Sequence, residues 1–431
     1  MPDISSTAPS PAAIDPQRLQ AMMEAVSAFG GGADGYMTRL SLSEEDRKAR
    51  DWLAAWFKDN GFTQKVDAIG NQFGLLDLAG HNAPTVMVGS HIDSQPNGGR
   101  FDGALGVVAA CEAVRAVVEG LKREGASSAC NFAIVNWTNE EGARFQPSLL
   151  GSSVFTGAAA LDWALERRDG AGVSVGEALR SIGYAGDDKV PVPAALIELH
   201  IEGAPSLENS KKRIGAFSRF WGATKYRLAF IGRQAHTGPT PMAERQDALL
   251  AAGFVITGLK RLAGDYGLDL HTSVGRLEVF PNSPNTVPGE AVLFIELRSG
   301  SPEILREAEE KLKAMIAEAA DFAKVGSEVR SVDYRAAGAM DAGLVRLAGE
   351  VSARRGEDMP LLDTIGGHDA VALAAVCPAV VLAVPSVGGV IHHPTEFTKP
   401  EDQAFGVQIV ADMLHELATG GAAVIKADRT L

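Results

Sequence analysis

A chain of 431 residues is too long for one ordinary core, so two domains are expected, and 46% hydrophobic against 22% charged residues is the balance of a globular protein. A formal charge of −14 argues against a nucleic-acid partner, since phosphate binding needs basic patches and the one Lys/Arg cluster is Lys211-Lys212-Arg213. No apolar run approaches the roughly eighteen residues that span a bilayer, so no membrane segment is expected.

Residues 1–16 are rich in Ser, Ala and Pro and lack a basic start followed by an apolar core. They read as a flexible tail rather than a leader, and the protein reads as cytoplasmic. Cys111, Cys130 and Cys377 each lie in or beside an apolar run, with no C-x-x-C spacing, and are expected as reduced core residues. Apolar residues recur at helical spacing from Asp15 to Ser27 and from Ser43 to Asn60, the second segment opened by Ser43-Glu44-Glu45-Asp46. Gln72 to Leu78, Thr85 to Val88 and Phe132 to Trp137 read as strands and Leu105 to Val118 as a helix. This is an α/β layer whose strand ends face one crevice, where ligands gather.

Three strand ends carry metal-capable side chains. The first runs into His91-Ile92-Asp93, and on an extended chain His91 and Asp93 point the same way, so a carboxylate can stand behind the imidazole. The glycine-rich turn Pro96-Asn97-Gly98-Gly99 then brings Asp102 to the start of the next helix. The second ends in Glu140-Glu141, which cannot both face the same way; either one binds a metal while its neighbour reaches a water, or the pair is a solvated acidic turn. The third, Ala194 to His200, ends in another histidine.

From about Ile214 the pattern changes. Thr224 to Ile231, Thr272 to Phe280, Ala291 to Arg298 and Glu328 to Tyr334 read as strands, and Ala243 to Leu262 and Pro302 to Ala323 as helices. That β-α-β-β-α-β order is a ferredoxin-like unit complete in itself, inserted into the first domain. After it come a helix from Gly343 to Arg355, the glycine turn at Gly366-Gly367-His368-Asp369, a strand from Ala379 to Ala383, and a loop, Val387 to Pro394, that supplies His392 and His393.

Taken together, VGSHIDSQPNGGRFDGALGV, NWTNEEGARF, IELHIEGAPSLE, QAHTGPTPM, PNSPNTVPG, GGHDA and VGGVIHHPTEFTKPED resemble the M20-type metal-dependent amidases. The branch resembled is the hydantoinase/carbamoylase one, of N-carbamoyl-L-amino acid hydrolases, β-ureidopropionases and allantoate amidohydrolases. The resemblance implies a metallopeptidase-like catalytic domain, a mixed sheet flanked by helices, over residues 17–214 and 337–431, and a lid and dimerisation domain over 215–336. It implies two divalent ions per subunit, Zn²⁺ first and Mn²⁺, Co²⁺ or Ni²⁺ as alternatives. His91 and His200 would hold one ion, Glu141 and His392 the other, and Asp102 would bridge them, with His392 preferred over His393 by its spacing from Gly389. Asp93 would orient His91, and Glu140 would be the general base that takes a proton from the attacking water. His236, reaching across from the partner of a homodimer, would polarise the scissile carbonyl, and Asn285 and Arg298 would bind substrate. His368 and Asp369 match a turn that supports the site.

The implied reaction is hydrolysis of a linear amide or ureido C–N bond in a small carboxylate-bearing substrate. The second reading is an N-acyl- or aryl-amide amino acid hydrolase or peptidase with an altered pocket, and the third an inactive metal-binding homologue. Two positions depart from the family: Gly203 and Ala223 stand where the relatives carry glutamine. Beside Ala223, Phe220 and Trp221 point to a more apolar substrate.

Overall fold

The computed structural model describes residues 10–32 and 35–420. They form two compact units, one holding the chain up to Ser218, Met340–Leu362 and from Gly367 on, the other Arg219–Ala339 and Asp363–Gly366.

In the first unit a mixed sheet runs in the order Thr63–Val66, Gln72–Leu76, Asn131–Trp137, Thr85–His91, Ala195–Glu202, Ala379–Pro385 and Gly215–Phe220. The four strands from Asn131–Trp137 to Ala379–Pro385 are mutually parallel, Gln72–Leu76 and Gly215–Phe220 are antiparallel to them, and the edge strand Thr63–Val66 is antiparallel to Gln72–Leu76. Every residue of Asn131–Trp137, Ala195–Glu202 and Ala379–Pro385 is buried. Such near-continuous apolar runs belong to a parallel sheet covered on both faces. The helix Ala104–Glu124 packs against Pro400–Thr419 and Pro16–Ser27, and Val107, Val114, Leu199, Leu382, Ile409 and Leu414 share one core. Parallel strands end on the same edge, so His91, the turn after Trp137, His200 and the loop after Pro385 all emerge together.

In the second unit the antiparallel strands lie in the order Gly326–Arg335, Gly222–Ile231, Glu290–Ser299, His271–Phe280. The helices Ala248–Tyr266 and Pro302–Ala323 carry Val255, Leu259, Leu312 and Ile316 onto Leu228, Phe230, Leu293 and Ile295. The alternate strand residues supply that face because side chains on a strand point to opposite sides in turn. Asp247 and Ser301 cap these helices, and Pro302 stands at the first turn, where its missing N–H costs nothing.

Several expectations change. Residues 1–9 of the expected tail lie outside the described residues, but its last part is packed. Ser10 Oγ donates to Asp412 Oδ1 at 2.6 Å, Ala12 is fully buried, and Asp15 caps the first helix. Ala12 is small enough to enter the core, and composition hides that. The helix at Leu105 runs on to Glu124 and stops at Gly125, which adopts the left-handed conformation that ends helices. The helix Pro400–Thr419 and the strands Thr63–Val66 and Gly215–Phe220 were not anticipated. Cys111, Cys130 and Cys377 are free and buried. No helix is long and apolar enough to cross a membrane among the described residues.

Candidate metal centre

The four strand ends of the first unit bring His91, Asp102, Glu141, His200 and His392 into one cluster. His200 Nε2 lies 3.0 Å from Asp102 Oδ1, and His91 Nε2 is 3.9 Å from the same oxygen. On the other side His392 Nε2 is 2.9 Å from Asp102 Oδ2 and 3.3 Å from Glu141 Oε2. The two oxygens of one carboxylate therefore face two separate ligand sets, His91 with His200 and Glu141 with His392.

The imidazole tautomers follow from their neighbours. His91 Nδ1 lies 2.9 Å from the carbonyl of Asp93 and His200 Nδ1 3.0 Å from that of Ile201. A carbonyl only accepts, so Nδ1 carries the proton and Nε2 turns a lone pair towards Asp102. Lone pair facing carboxylate demands a cation between them, a proton or a metal ion. The buried Nε2 of His91 has no hydrogen-bond partner among the described residues. Burial works against charge on His200, yet Asp102 holds its imidazole up to about 9; burial likewise opposes charge on His392, which Asp102 and Glu141 hold up to about 11. Histidine and carboxylate donors in this arrangement fit divalent ions of the zinc and manganese kind.

Glycine makes the approach possible. Gly103 has φ +66°, and a Cβ there would lie 2.3 Å from the His91 ring. Only a residue without a side chain lets the turn after Asp102 pass so close.

The structure assigns Asp93 a different contact from the expected one. Its carboxylate stands 3.8 Å from His91 Nδ1, beyond hydrogen-bond reach, and it is the backbone carbonyl that orients the ring. The carboxylate instead accepts from the backbone N–H of Glu140 and Glu141, at 3.2 and 3.3 Å, fixing the turn that carries both glutamates. Burial pushes the Asp93 carboxyl up to about 7. Gln95 Nε2 donates to Glu141 Oε2 at 2.9 Å, and Asn139, with φ +57°, donates to the carbonyls of Phe145 and Pro147. Glu140 stands on the other side of the turn, its Oε2 3.5 Å from His91 Nε2. Burial first, then Asp369 and Glu141, push its carboxyl well above the usual range.

Glu396 was not singled out in the sequence, yet it ties the two ligand sets together. Its Oε1 accepts from the N–H of Phe101 and Asp102, at 2.8 and 3.1 Å, and its Oε2 from His392 N–H at 3.3 Å. Glu198, fully buried, accepts from Ser90 Oγ and the N–H of Ala370, which anchors the His368-Asp369 turn. The His368 ring meets that of His200 edge-on at 4.5 Å and stacks on Phe217. A Cβ on Gly203 would lie 2.6 Å from Ile391 Cδ1, so an apolar side chain occupies that space.

His236, Asn285 and Arg298 belong to the second unit. His236 is exposed on the short strand Ala235–His236, paired with Thr286, and Thr237 N–H donates to the Asn285 carbonyl at 3.2 Å. Arg298 lies opposite Ala223 near the other end of the ten-residue strand Glu290–Ser299, with Nη2 2.9 Å from Glu296 and Nη1 on the carbonyl of Ile365. Eight residue steps along the strand, roughly 26 Å, lead from Glu290 to Arg298. The unit brings His236 and Asn285 together and keeps Arg298 apart from them. Trp221 and Phe220 are engaged within this unit, Trp221 edge-on to His271 and Phe220 over Gly338.

The model of peptidase family M20/M25/M40 matches residues 87–416. A Mycolicibacterium smegmatis protein named only as a hydrolase is 41% identical over 401 residues, 92% of this chain and 91% of its own. An N-carbamoyl-L-amino-acid amidohydrolase of Rhizobium meliloti is 32% identical over 408 residues, 94% of this chain and 97% of that protein. The crystal structure of a hydantoinase/carbamoylase family amidase from Burkholderia vietnamiensis is similar with a TM-score of 0.91 at 34% identity, over 96% of this chain and 99% of that one.

Proposed function

Because the chain belongs to peptidase family M20/M25/M40, we propose that it is a two-metal amidohydrolase cleaving a linear ureido or amide C–N bond in a small carboxylate-bearing substrate. The observation that carries this reading is the placement of Asp102 between two ligand sets, with one oxygen towards each. The relatives named as amidohydrolases acting on N-carbamoyl amino acids support the bond class.

His91, His200 and Asp102 would hold one ion, and Asp102, Glu141 and His392 the second, with Zn²⁺ the first choice and Mn²⁺, Co²⁺ or Ni²⁺ as alternatives. When bound, such ions acidify the attacking water and polarise the scissile carbonyl. Glu140 takes the proton from that water and hands it to the leaving nitrogen. Asp93 holds the Glu140 backbone so that the carboxylate keeps its place. Arg298 offers a guanidinium fork to the substrate carboxylate, and His236 and Asn285 bind at the carbonyl, an oxyanion-type role.

The separation of His236 from Arg298 supports a homodimer formed through the lid-like second unit. Gly289, just before this strand, lies beside Gln234, so the His236 hairpin sits at the Glu290 end, roughly 26 Å along the strand from Arg298, which favours His236 and Arg298 serving one small substrate from different chains. The edge strand Gly326–Arg335, almost wholly exposed over ten residues, supports the same assembly, since an unpaired edge is a template for pairing.

The test is turnover of metal-loaded protein on N-carbamoyl amino acids, allantoate and N-acyl amino acids, with Glu140→Gln as the blank. Hydrolysis of the carbamoyl or ureido substrates is expected. Turnover confined to acyl or aryl amides, with Gly203 and Ala223 marking the changed pocket, would contradict the substrate assignment, and activity equal in the blank would contradict the mechanism.

A further inference from the structure

A polar cleft in the first unit is lined by the segment that follows the strand of His200 and by residues from Pro385 to Asp402. Its cavity, about 220 Å³, is lined by Lys211, Lys212, Arg213 and Lys399, with Glu208 and Asp402 as the acidic members. Four cations around one small cleft repel one another, and they do so in a chain with 54 acidic and 40 basic residues.

The two lining carboxylates offset only part of this charge. Glu208 Oε2 accepts the N–H of Gly388 at 2.6 Å, which holds this carboxylate against the wall of the cleft. Asp402 is itself buried, and burial and Glu401 push its carboxyl up while Lys399 and Arg213 act to lower it, so it offsets part of their charge. Lys212 reaches Asp358 only at 3.5 Å, and that side chain is 95% exposed, so water competes for the pair. Arg213 stands 3.5 Å from Glu357 while its guanidinium lies over the Phe405 ring at 3.7 Å, which fixes its plane at the edge of the cleft. Lys211 and Lys399 form no ion pair among the described residues. Lys211 is presented by a strained turn, with φ +55°, closing the helix Ser206–Asn209.

We propose that Lys211, Lys212, Arg213 and Lys399 form a binding site for a small dianion of the phosphate or dicarboxylate class, separate from the metal centre. A planar guanidinium held by an aromatic ring and two ammonium groups that form no ion pair among the described residues suit an oxyanion with several acceptor atoms. The volume admits a molecule of that size and no polymer. Pro385 and Val387 complete the lining, and the chain from Val387 leads to His392, so the site lies at the base of the loop that supplies a ligand of the metal centre.

The inference stands apart from the reaction assigned above, and its test does not depend on turnover. Metal-loaded protein is titrated calorimetrically with inorganic phosphate and, separately, with succinate, at fixed ionic strength set with sodium chloride. The same titrations are run on Lys211→Gln/Lys399→Gln, whose two side chains are exposed, with circular dichroism and melting temperature showing that the fold is kept. Saturable binding of either anion is expected in the parent protein, weakened tenfold or more in the double variant, with turnover in the absence of added anion unchanged. Preference for phosphate over succinate, or the reverse, identifies the source class. Binding that persists undiminished in the variant places the anion at the metal ions and overturns the proposal, as does the absence of saturable binding by the parent.

Discussion

At the scale of single residues, the account rests on protons and cations competing for one cluster. Glu140→Gln keeps the shape and removes the base, so turnover should fall by about 10²- to 10⁴-fold while metal content by elemental analysis stays at the parent level. Loss of metal in that variant would move Glu140 into the ligand set. Gly103→Ala should do the reverse, displacing the His91 ring that its Cβ would meet at 2.3 Å and lowering metal content before any effect on a catalytic group. In the metal-stripped protein, His200 and His392 hold protons at neutral pH, with values about 9 and about 11. A metal ion must displace them, so apparent affinity is highest at alkaline pH and falls as pH drops. Competition with a chelator at pH 6 and pH 8 checks the sign; equal affinity at both would contradict it.

Which residues were legible in the sequence follows from what they contribute. His91, His200 and the Glu140-Glu141 pair stand out by residue type after strand ends and His392 in a glycine loop, but the choice of Glu141 and His392 as ligands rests on the family resemblance. Glu396 acts through three backbone N–H groups brought together only by folding, and the sole hint was its place in the motif after His392. Asp93 was visible as a partner of His91, but its backbone does that work and its carboxylate another, a distinction that side-chain alternation cannot make. Glu396→Gln should weaken metal binding by about 10- to 100-fold, the usual effect of losing an outer-shell acceptor.

Among the elements, the strands that carry ligands are readable because burial on both faces makes them continuous apolar runs. The strand Gly215–Phe220 is not, because it is short and glycine-led and its burial fades along its length. The helix Pro400–Thr419 did carry signals, Pro400 with Glu401 and Asp402 in its first turn. Its apolar residues cover much of its circumference, which blurs the helical period. An element that the ligand loops depend on is Glu44–Asp59: Arg50, with its side chain 1% exposed, pairs with Asp46 at 2.9 Å and donates to the Gly70 carbonyl and Thr138 Oγ1 beneath the Glu140 turn. Arg50→Met leaves a buried carboxylate without its partner and should cost about 3–5 kcal/mol, read as a lower urea midpoint. An unchanged midpoint would show that the network is not needed there.

For the whole molecule, the division into two units was expected from length and from the change of pattern near Ile214, but assembly was only implied by resemblance. A mixture of His236→Ala and Glu140→Gln chains, each inactive alone, tests it. If His236 acts in the partner's site, mixed dimers hold one intact site and recover up to about a quarter of parental turnover after random re-pairing. No recovery would place His236 and Glu140 of one chain in the same site.

The central claim, two ions bridged by Asp102, is tested most directly by titrating metal-stripped protein with Zn²⁺ or Mn²⁺ while following turnover of an N-carbamoyl amino acid and bound metal together. The account predicts activity that saturates at two equivalents per chain, with both equivalents weakened in Asp102→Asn. Saturation at one equivalent, or an Asp102→Asn protein that binds both ions as tightly as its parent, would contradict it.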